Sequence, residues 1–539
     1  MIPFSHQRRR ARAVLAALAL VIAVPAATIG AQAHPNQAPK VSIAAGAPAG
    51  SAVIGLINSG QTFDGVTFEG IPDGLGIVPV GQGNRFIDIY VAFEQSHVPF
   101  QGFADFEDSS VQVARLDLKT KQIVSLDEVL PPSAGYIRFC SAFMAGPDEG
   151  FGSYTFFVNE ESNDVIEVVP GAQYEADPEI TPYRQAGYSV WVDTQTGDYH
   201  QIAGLGRHNH ENTVIVPGGW GDIVALSGDD TFTAPSSQLY LYSAANPGAF
   251  KQDRGSLWAF QVTGVNGTPL ADPSDPQNNA NDYLEIVPGS NYQGRFISVP
   301  DAIAAGTEDY PDGSHNNPQT SLEAWSNAMN VFQFVRIEDV AYDPDSPREV
   351  YFADTGTTRL KEDPATGRLF RAGATAFPYF NSDGRIFKMV MNAGDPTIVD
   401  SLTILAQGKL EEQTGAATFN LIDAGVGFVN PDNLDVGHES LMVQEDAAGA
   451  NDVWQHPLGT SSWARVASTT QVGTAETSGI VDASDWLGAG WWILDVQSHV
   501  NLTVGPGGLS YQTLPSGPIL NYNTRREDGQ LLLLYIPGS

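Results

Sequence analysis

Short runs of β-branched and aromatic residues, cut at close intervals by glycine, proline, asparagine or aspartate, recur along almost the whole of this 539-residue chain. They include Phe86–Phe93, Val111–Leu118, Ser153–Val158, Tyr188–Val192, Gln238–Tyr242, Leu257–Val262, Glu349–Ala353, Ile386–Met391, Trp491–Val496 and Leu531–Ile536. Such runs read as strands, because branched and ring side chains fit a pleated, half-buried surface and the punctuating residues supply turns. Val190–Val192 and Tyr199–Ile202, on either side of Asp193–Asp198, read as a hairpin. With 55 Gly and 35 Pro, and only Thr320–Asn330 legible as an amphipathic helix, the fold class is all-β. A multi-bladed β-propeller is expected, with six blades the favoured number, since radial repetition leaves only short, protected sheet edges. Leu531–Ile536 is expected to complete a blade begun near the N-terminus. No fixed-period repeat is visible, so periodicity does not count the blades.

The N-terminus predicts export. Arg8, Arg9, Arg10 and Arg12 precede an apolar run from Ala13 to Ile29, and Ala31-Gln32-Ala33 offers the small residues of a cleavage site. Residues 1–33 are therefore read as a signal peptide, with paired arginines that suit Tat as well as Sec export, leading to the periplasm or outside the cell. Residues 34–60, rich in Ala, Gly and Pro, are expected to form a flexible lead-in to a single domain spanning 61–539. A polar segment at about 266–330 is expected to be a surface insertion, with a lid over a central site as the alternative.

Twenty-seven Lys and Arg face 62 Asp and Glu, a formal charge of −35, which disfavours nucleic acid and anionic membrane as partners. An acidic surface serves solubility; carboxylates gathered in space would instead suit hard cations such as Ca²⁺.

Four clusters could carry chemistry. Cys140 is the only cysteine, and an exported protein normally uses cysteines in pairs, so a thiolate metal ligand and a buried structural thiol are the readings left open. It precedes the carboxylate pair Glu160-Glu161. Next come Gly206-Arg207-His208-Asn209-His210-Glu211 and the acids Asp229-Asp230, which suit either a metal or ordinary turns. In Arg336-Ile337-Glu338-Asp339, strand alternation puts Arg336 and Glu338 on one face, as an ion pair or as a metal-binding carboxylate beside a phosphate-gripping guanidinium. Last are Pro431-Asp432-Asn433 and the acids Glu445-Asp446. His208, His210 and His499 either bind metal or orient neighbours.

Read together, these blocks resemble the PhoX-type alkaline phosphatase family. The resemblance rests on Cys140-Ser141, Glu160-Glu161, Gly206-Arg207 with His210-Glu211, Arg336 with Glu338-Asp339, and Pro431-Asp432-Asn433, in that order along the chain. The segments Gly70–Gly76 and Glu476–Ser484 are similar to those of a divergent secreted branch. Phe143–Val158 departs from the family, in which a compact segment bearing Trp and a second Cys stands at this point. The resemblance implies a propeller whose centre holds iron and calcium and hydrolyses phosphate monoesters; a monomer is expected. It implies Cys140 as an iron ligand, and Glu161 or Glu160, Glu211 and Glu338 as carboxylate ligands. Asp432 and Asp229 would complete the calcium shell, and Arg336 would steady the phosphoryl oxygens. The competing expectations are a calcium-stabilised binding propeller without turnover and another metal-dependent hydrolase of lactonase or phytase-like type.

Overall fold

The computed structural model describes residues 35–539 apart from 82–84, 95–108, 178–180, 232–236, 276–281, 308–317, 363–367, 372–377, 448–450, 471–473, 502–524 and 528. All of them lie in one compact unit, Ala33–Ser539. The expected signal peptide lies outside the described residues.

Strand dominates, as the β-branched runs require; α-helix among the described residues is confined to Pro247–Lys251, Asp301–Ala304, Pro318–Ala328 and Ser484–Leu487. None of the described helices is long and apolar enough to cross a membrane.

Antiparallel arrays follow one another along the chain, each entered at its innermost strand. The first runs from Pro72–Val80 through Phe86–Phe93 and Ser110–Asp117 to Gln122–Leu130. The second runs from Phe139–Ala145 through Thr155–Glu160 and Ser189–Asp193 to Tyr199–Ile202. The third starts at His210–Ile215 and ends at Ser256–Val265, and the fourth starts at Ile337–Asp343 and ends at Ile398–Gln407. Pro431–Val436 opens the fifth and Thr474–Asp482 the sixth. Each innermost strand packs beside the next, and Thr474–Asp482 returns to Pro72–Val80, so the inner strands ring a common axis in a propeller-like arrangement.

Apolar side chains fill the spaces between neighbouring arrays. Leu226, Leu241 and Phe260 meet Phe352, Phe387 and Met389 between the third and fourth, while Ile89 and Leu116 meet Ile493, Leu531 and Leu533 between the first and the last. A strand covered on both faces reads as an unbroken apolar run, which explains Leu531-Leu532-Leu533-Leu534. Burial of each such leucine contributes about 1.5–3 kcal/mol.

Gln530–Tyr535 lies between Trp491–Asn501 and Ala52–Asn58, so the late strand does complete an array with an N-terminal one. The expected lead-in is thereby corrected. Within residues 34–60, Ala52–Asn58 joins the last array and Val41–Ile43 pairs with Ala464–Thr469 at the edge of the fifth. Val53, Ile54, Leu56 and Ile57 carry enough apolar surface to be drawn into the fold despite the flanking Gly and Ala.

The 266–330 segment is more than a surface insertion. Its strand Tyr292–Ser298 pairs with Ser256–Val265 on one side and Ile398–Gln407 on the other, fusing the outer edges of two arrays. Its helix Pro318–Ala328 buries Gln319, Ser321, Leu322 and Ser326.

Candidate metal centre

The site is assembled from the first turnings of the inner strands. Asp73, Cys140, Glu211, Glu338 and Asp432 are each the second residue of their strand, and Glu476 is the third of its own. In four of these strands the pairing register shifts across the acidic residue, between Pro72 and Leu75, His210 and Thr213, Ile337 and Val340, and Pro431 and Leu434. Such bulges bend a strand and re-aim a side chain, here toward the axis instead of into the spaces between arrays. The close approach needs small residues. A Cβ on Gly74 would lie 2.3 Å from the Ala142 nitrogen, and one on Gly479, at φ +33°, 2.2 Å from the Asp73 carbonyl.

Ligand-type atoms of Cys140, Glu161 and Glu211 lie within 4.8 Å of one another, as do those of Glu211, Glu338 and Asp432, and those of Asp73, Glu94 and Cys140. The three groups share members and form one continuous cluster. Cys140 Sγ donates to Asp73 Oδ2 at 3.1 Å, and Gln497 Nε2 donates to both Asp73 Oδ2 (3.0 Å) and Glu94 Oε1 (2.7 Å). Asn209 Nδ2 ties Glu161 Oε1 at 3.2 Å to the Asp230 carbonyl at 2.9 Å. Both carboxylate oxygens of fully buried Glu211 lack a hydrogen-bond partner among the described residues. Buried polar atoms are nearly always satisfied, so this donor set fits a cation.

The electrostatics agree. Burial first, and then the charges of neighbouring acids, push Glu161, Glu211, Glu338, Asp432 and Glu476 far above the usual carboxylate range. Asp73 rises to about 7, through burial and Glu94. Burial and the facing carboxylates push the Cys140 thiol up in the same way. So many acids in one place are compatible as anions only with cations among them.

Arg336 is fixed beside the cluster by a two-pronged pair with Asp230, Nε to Oδ1 at 2.7 Å and Nη2 to Oδ2 at 2.9 Å, and its Nη2 lies 3.1 Å from Glu338 Oε1. The expected shared face of Arg336 and Glu338 is observed. Beside the cluster, Asp339 accepts from the Ser141 hydroxyl (3.1 Å), from the Asn212 amide and from Leu434 N (3.1 Å), tying its own inner strand to three others. Farther along the axis, Ile77, Met144, Tyr342, Val436 and Val481 help line a separate cavity of about 430 Å³.

Two expected ligands are elsewhere. Glu160 is fully buried, and its carboxylate accepts from Arg184 Nη2 (2.5 Å), Arg184 Nη1 (2.8 Å), Ile137 N (3.0 Å) and Tyr188 N (3.1 Å). Neighbouring residues at a strand end face opposite ways, so only Glu161 reaches the cluster. Asp229 faces helix Pro318–Ala328: its Oδ1 accepts from Thr231 Oγ1 (2.7 Å) and Gln319 Nε2 (3.4 Å) and lies 4.0 Å from His208 Nδ1. Its neighbour Asp230 is the one that turns inward.

His210 is structural, held by the Ser227 hydroxyl (2.8 Å) and the Gly206 carbonyl (2.9 Å). His208 is buried against His210 and Tyr240. His499 belongs to strand Trp491–Asn501, but its side chain is outside the described residues. Glu445 is occupied by Val429 N, Asp452 N and Trp454 Nε1, whereas Asp446 acts on Asp432 and Glu476. Sequence reading missed Asp73, Glu94 and Glu476 as members of the cluster. The signal available for Asp73 and Glu476 was one acidic or thiol residue at the start of each inner strand; Glu94, just past the end of Phe86–Phe93, carried none.

Comparison with known proteins gives a family match: the sequence family described as alkaline phosphatase PhoX matches residues 149–484, well over half of the chain. A solved structure of Pseudomonas fluorescens PhoX in complex with vanadate, described as a transition state analogue, superposes with a TM-score of 0.58 at 15% identity, covering 94% of this chain and 97% of that one. At that identity the likeness is one of fold. The PQQ-bound aldose sugar dehydrogenase of Streptomyces coelicolor reaches a TM-score of 0.30 at 11% identity, over 90% of this chain and 99% of that one. No curated protein sequence matches.

Proposed function

The chain belongs to the alkaline phosphatase PhoX family, whose members are phosphoric monoester hydrolases, and from that premise we propose that it is an exported phosphatase working with iron and calcium at the cluster around Glu211. One observation carries the reading: a thiol and carboxylates from separate strands converge within 4.8 Å, and Glu211 there has no hydrogen-bond partner for either oxygen among the described residues.

Cys140, Glu161, Glu211, Glu338 and Asp432 are the residues that would hold the metals, with Asp73 and Glu476 beside them. Soft sulfur beside hard oxygens suits a site that takes iron on the Cys140 side and calcium on the Asp432 side. When bound, the metals supply positive charge for the phosphoryl oxygens and lower the pKa of a coordinated water.

The chain's own residues do the rest. Asp230 holds the Arg336 fork in place before substrate arrives, so its charge meets the phosphoryl oxygens without reorganisation. Asn209 couples Glu161 to the Asp230 backbone, and Asp339 ties four inner strands together beside the site.

The ring of inner strands supports a six-bladed reading of the propeller. Residues 1–33 support export to the periplasm or beyond, and we read the enzyme as a monomer. Hydrolysis of para-nitrophenyl phosphate at alkaline pH tests the function. Turnover that a chelator abolishes and added Ca²⁺ restores is expected; turnover indifferent to chelation contradicts it.

A further inference from the structure

Arg138 and Arg336 occupy equivalent places in the fold. Each immediately precedes an inner strand, Phe139–Ala145 or Ile337–Asp343, and each stands two residues before a member of the cluster, Cys140 or Glu338. Both hold a left-handed backbone, φ 48° at Arg138 and φ 64° at Arg336. Asn430, two residues before Asp432, shares the conformation at φ 49°, but asparagine tolerates it and arginine does not favour it. Strain of this kind persists where the surrounding structure enforces it, and it clusters at functional sites.

The two guanidiniums differ in how they are engaged. Arg336 is locked by both oxygens of buried Asp230 and pairs with Glu338. Arg138 Nη1 donates to the Glu161 carbonyl at 3.2 Å, while its Nη2 lies 3.8 Å from Asp164, whose side chain is 64% exposed. The Arg138 side chain is itself 30% exposed, so solvent reaches it and it can exchange this loose partner for another anion. The charges of Arg138 and Arg336 both act on Glu161, and that of Arg138 acts on Glu94 and Asp164 as well.

We propose that Arg138 is a second phosphate-binding residue, donating to non-bridging oxygens of the phosphate ester from the Cys140 side of the cluster while Arg336 does so from the Glu338 side. A phosphoryl group presents three such oxygens, and a planar fork matches two of them at once. Asp164 acts as the resting counter-ion that the substrate displaces. The inference rests on the phosphatase reading.

The test measures para-nitrophenyl phosphate turnover, competitive inhibition by inorganic phosphate, and metal content in Arg138→Gln, Arg138→Lys and Asp164→Asn. Arg138→Gln is expected to raise KM and the phosphate inhibition constant by about 10- to 100-fold with metal content unchanged, in line with loss of a charge-assisted pair. Arg138→Lys should recover part of the loss, and Asp164→Asn should tighten phosphate binding. An unchanged phosphate inhibition constant in Arg138→Gln, or activity lost in proportion to metal, overturns the proposal alone. Wild-type enzyme that neither binds phosphate nor turns over the ester overturns the phosphatase reading and this inference with it.

Discussion

The Cys140 sulfur lies 3.1 Å from Asp73 Oδ2, joining the second residues of two adjacent inner strands. The thiol is therefore not packed in an oily interior; it faces carboxylates on several sides. Cys140→Ala is expected to lose iron while remaining folded in calcium. Asp73→Asn, which weakens the partner of the sulfur, is expected to lower iron affinity by about 10- to 100-fold. Elemental analysis of the two purified variants checks both.

Glu160 and Glu161 are adjacent in sequence and opposite in consequence. Glu160→Gln leaves the fully buried Arg184 without its charge partner, and a loss of about 3–5 kcal/mol of stability is expected, with metal per folded molecule unchanged. Glu161→Gln removes one of several mutually repelling acids, so the metal-free protein should be no less stable, yet metal and activity should fall. Chemical denaturation and metal analysis, run on the same preparations, separate the two.

Arg336→Lys should keep the metals and lower kcat by about 10- to 100-fold, since a point charge cannot reproduce a fork pre-set by Asp230. Steady-state kinetics at saturating substrate, with equal rates for variant and wild type, would remove Arg336 from this role.

Glu323, on helix Pro318–Ala328, is pushed by burial from the usual value of 4.5 up to about 8. A carboxyl whose pKa rises on folding binds more proton in the native state across that interval. Its contribution to stability is thus present at low pH and is lost as pH climbs from about 4.5 toward 8. Glu323→Gln, which stays neutral throughout, should gain in Tm relative to wild type as pH rises through this window. A difference that stays flat with pH would show that Glu323 does not titrate there.

The fold class was legible because strand periodicity is a local property: Phe86–Phe93 and Arg385–Met391 are strands where their residues indicate them. The fate of residues 34–60 was not, because Ala52–Asn58 becomes a strand only by pairing with Gln530–Tyr535 from the far end of the chain. At the site, the family resemblance carried by the order of the blocks pointed to Cys140, one of Glu160 and Glu161, Glu211, Glu338 and Asp432, and Cys140, Glu161, Glu211, Glu338 and Asp432 converge. What stayed hidden was direction. Nothing in the pair Glu160-Glu161 tells which faces the axis, and nothing in Asp229-Asp230 tells which one meets Arg336 and which one helix Pro318–Ala328. Bulges set those directions, and they arise from pairing between strands.

On the proposed reading, the sulfur of Cys140 and the carboxylates around Glu211 hold the metals on which phosphatase turnover depends. Its most direct measurement is the iron and calcium content of protein purified from its native host, taken with para-nitrophenyl phosphate turnover of the same sample. Near-stoichiometric iron together with calcium and turnover at alkaline pH is the predicted result; full turnover in protein that contains no iron would contradict it.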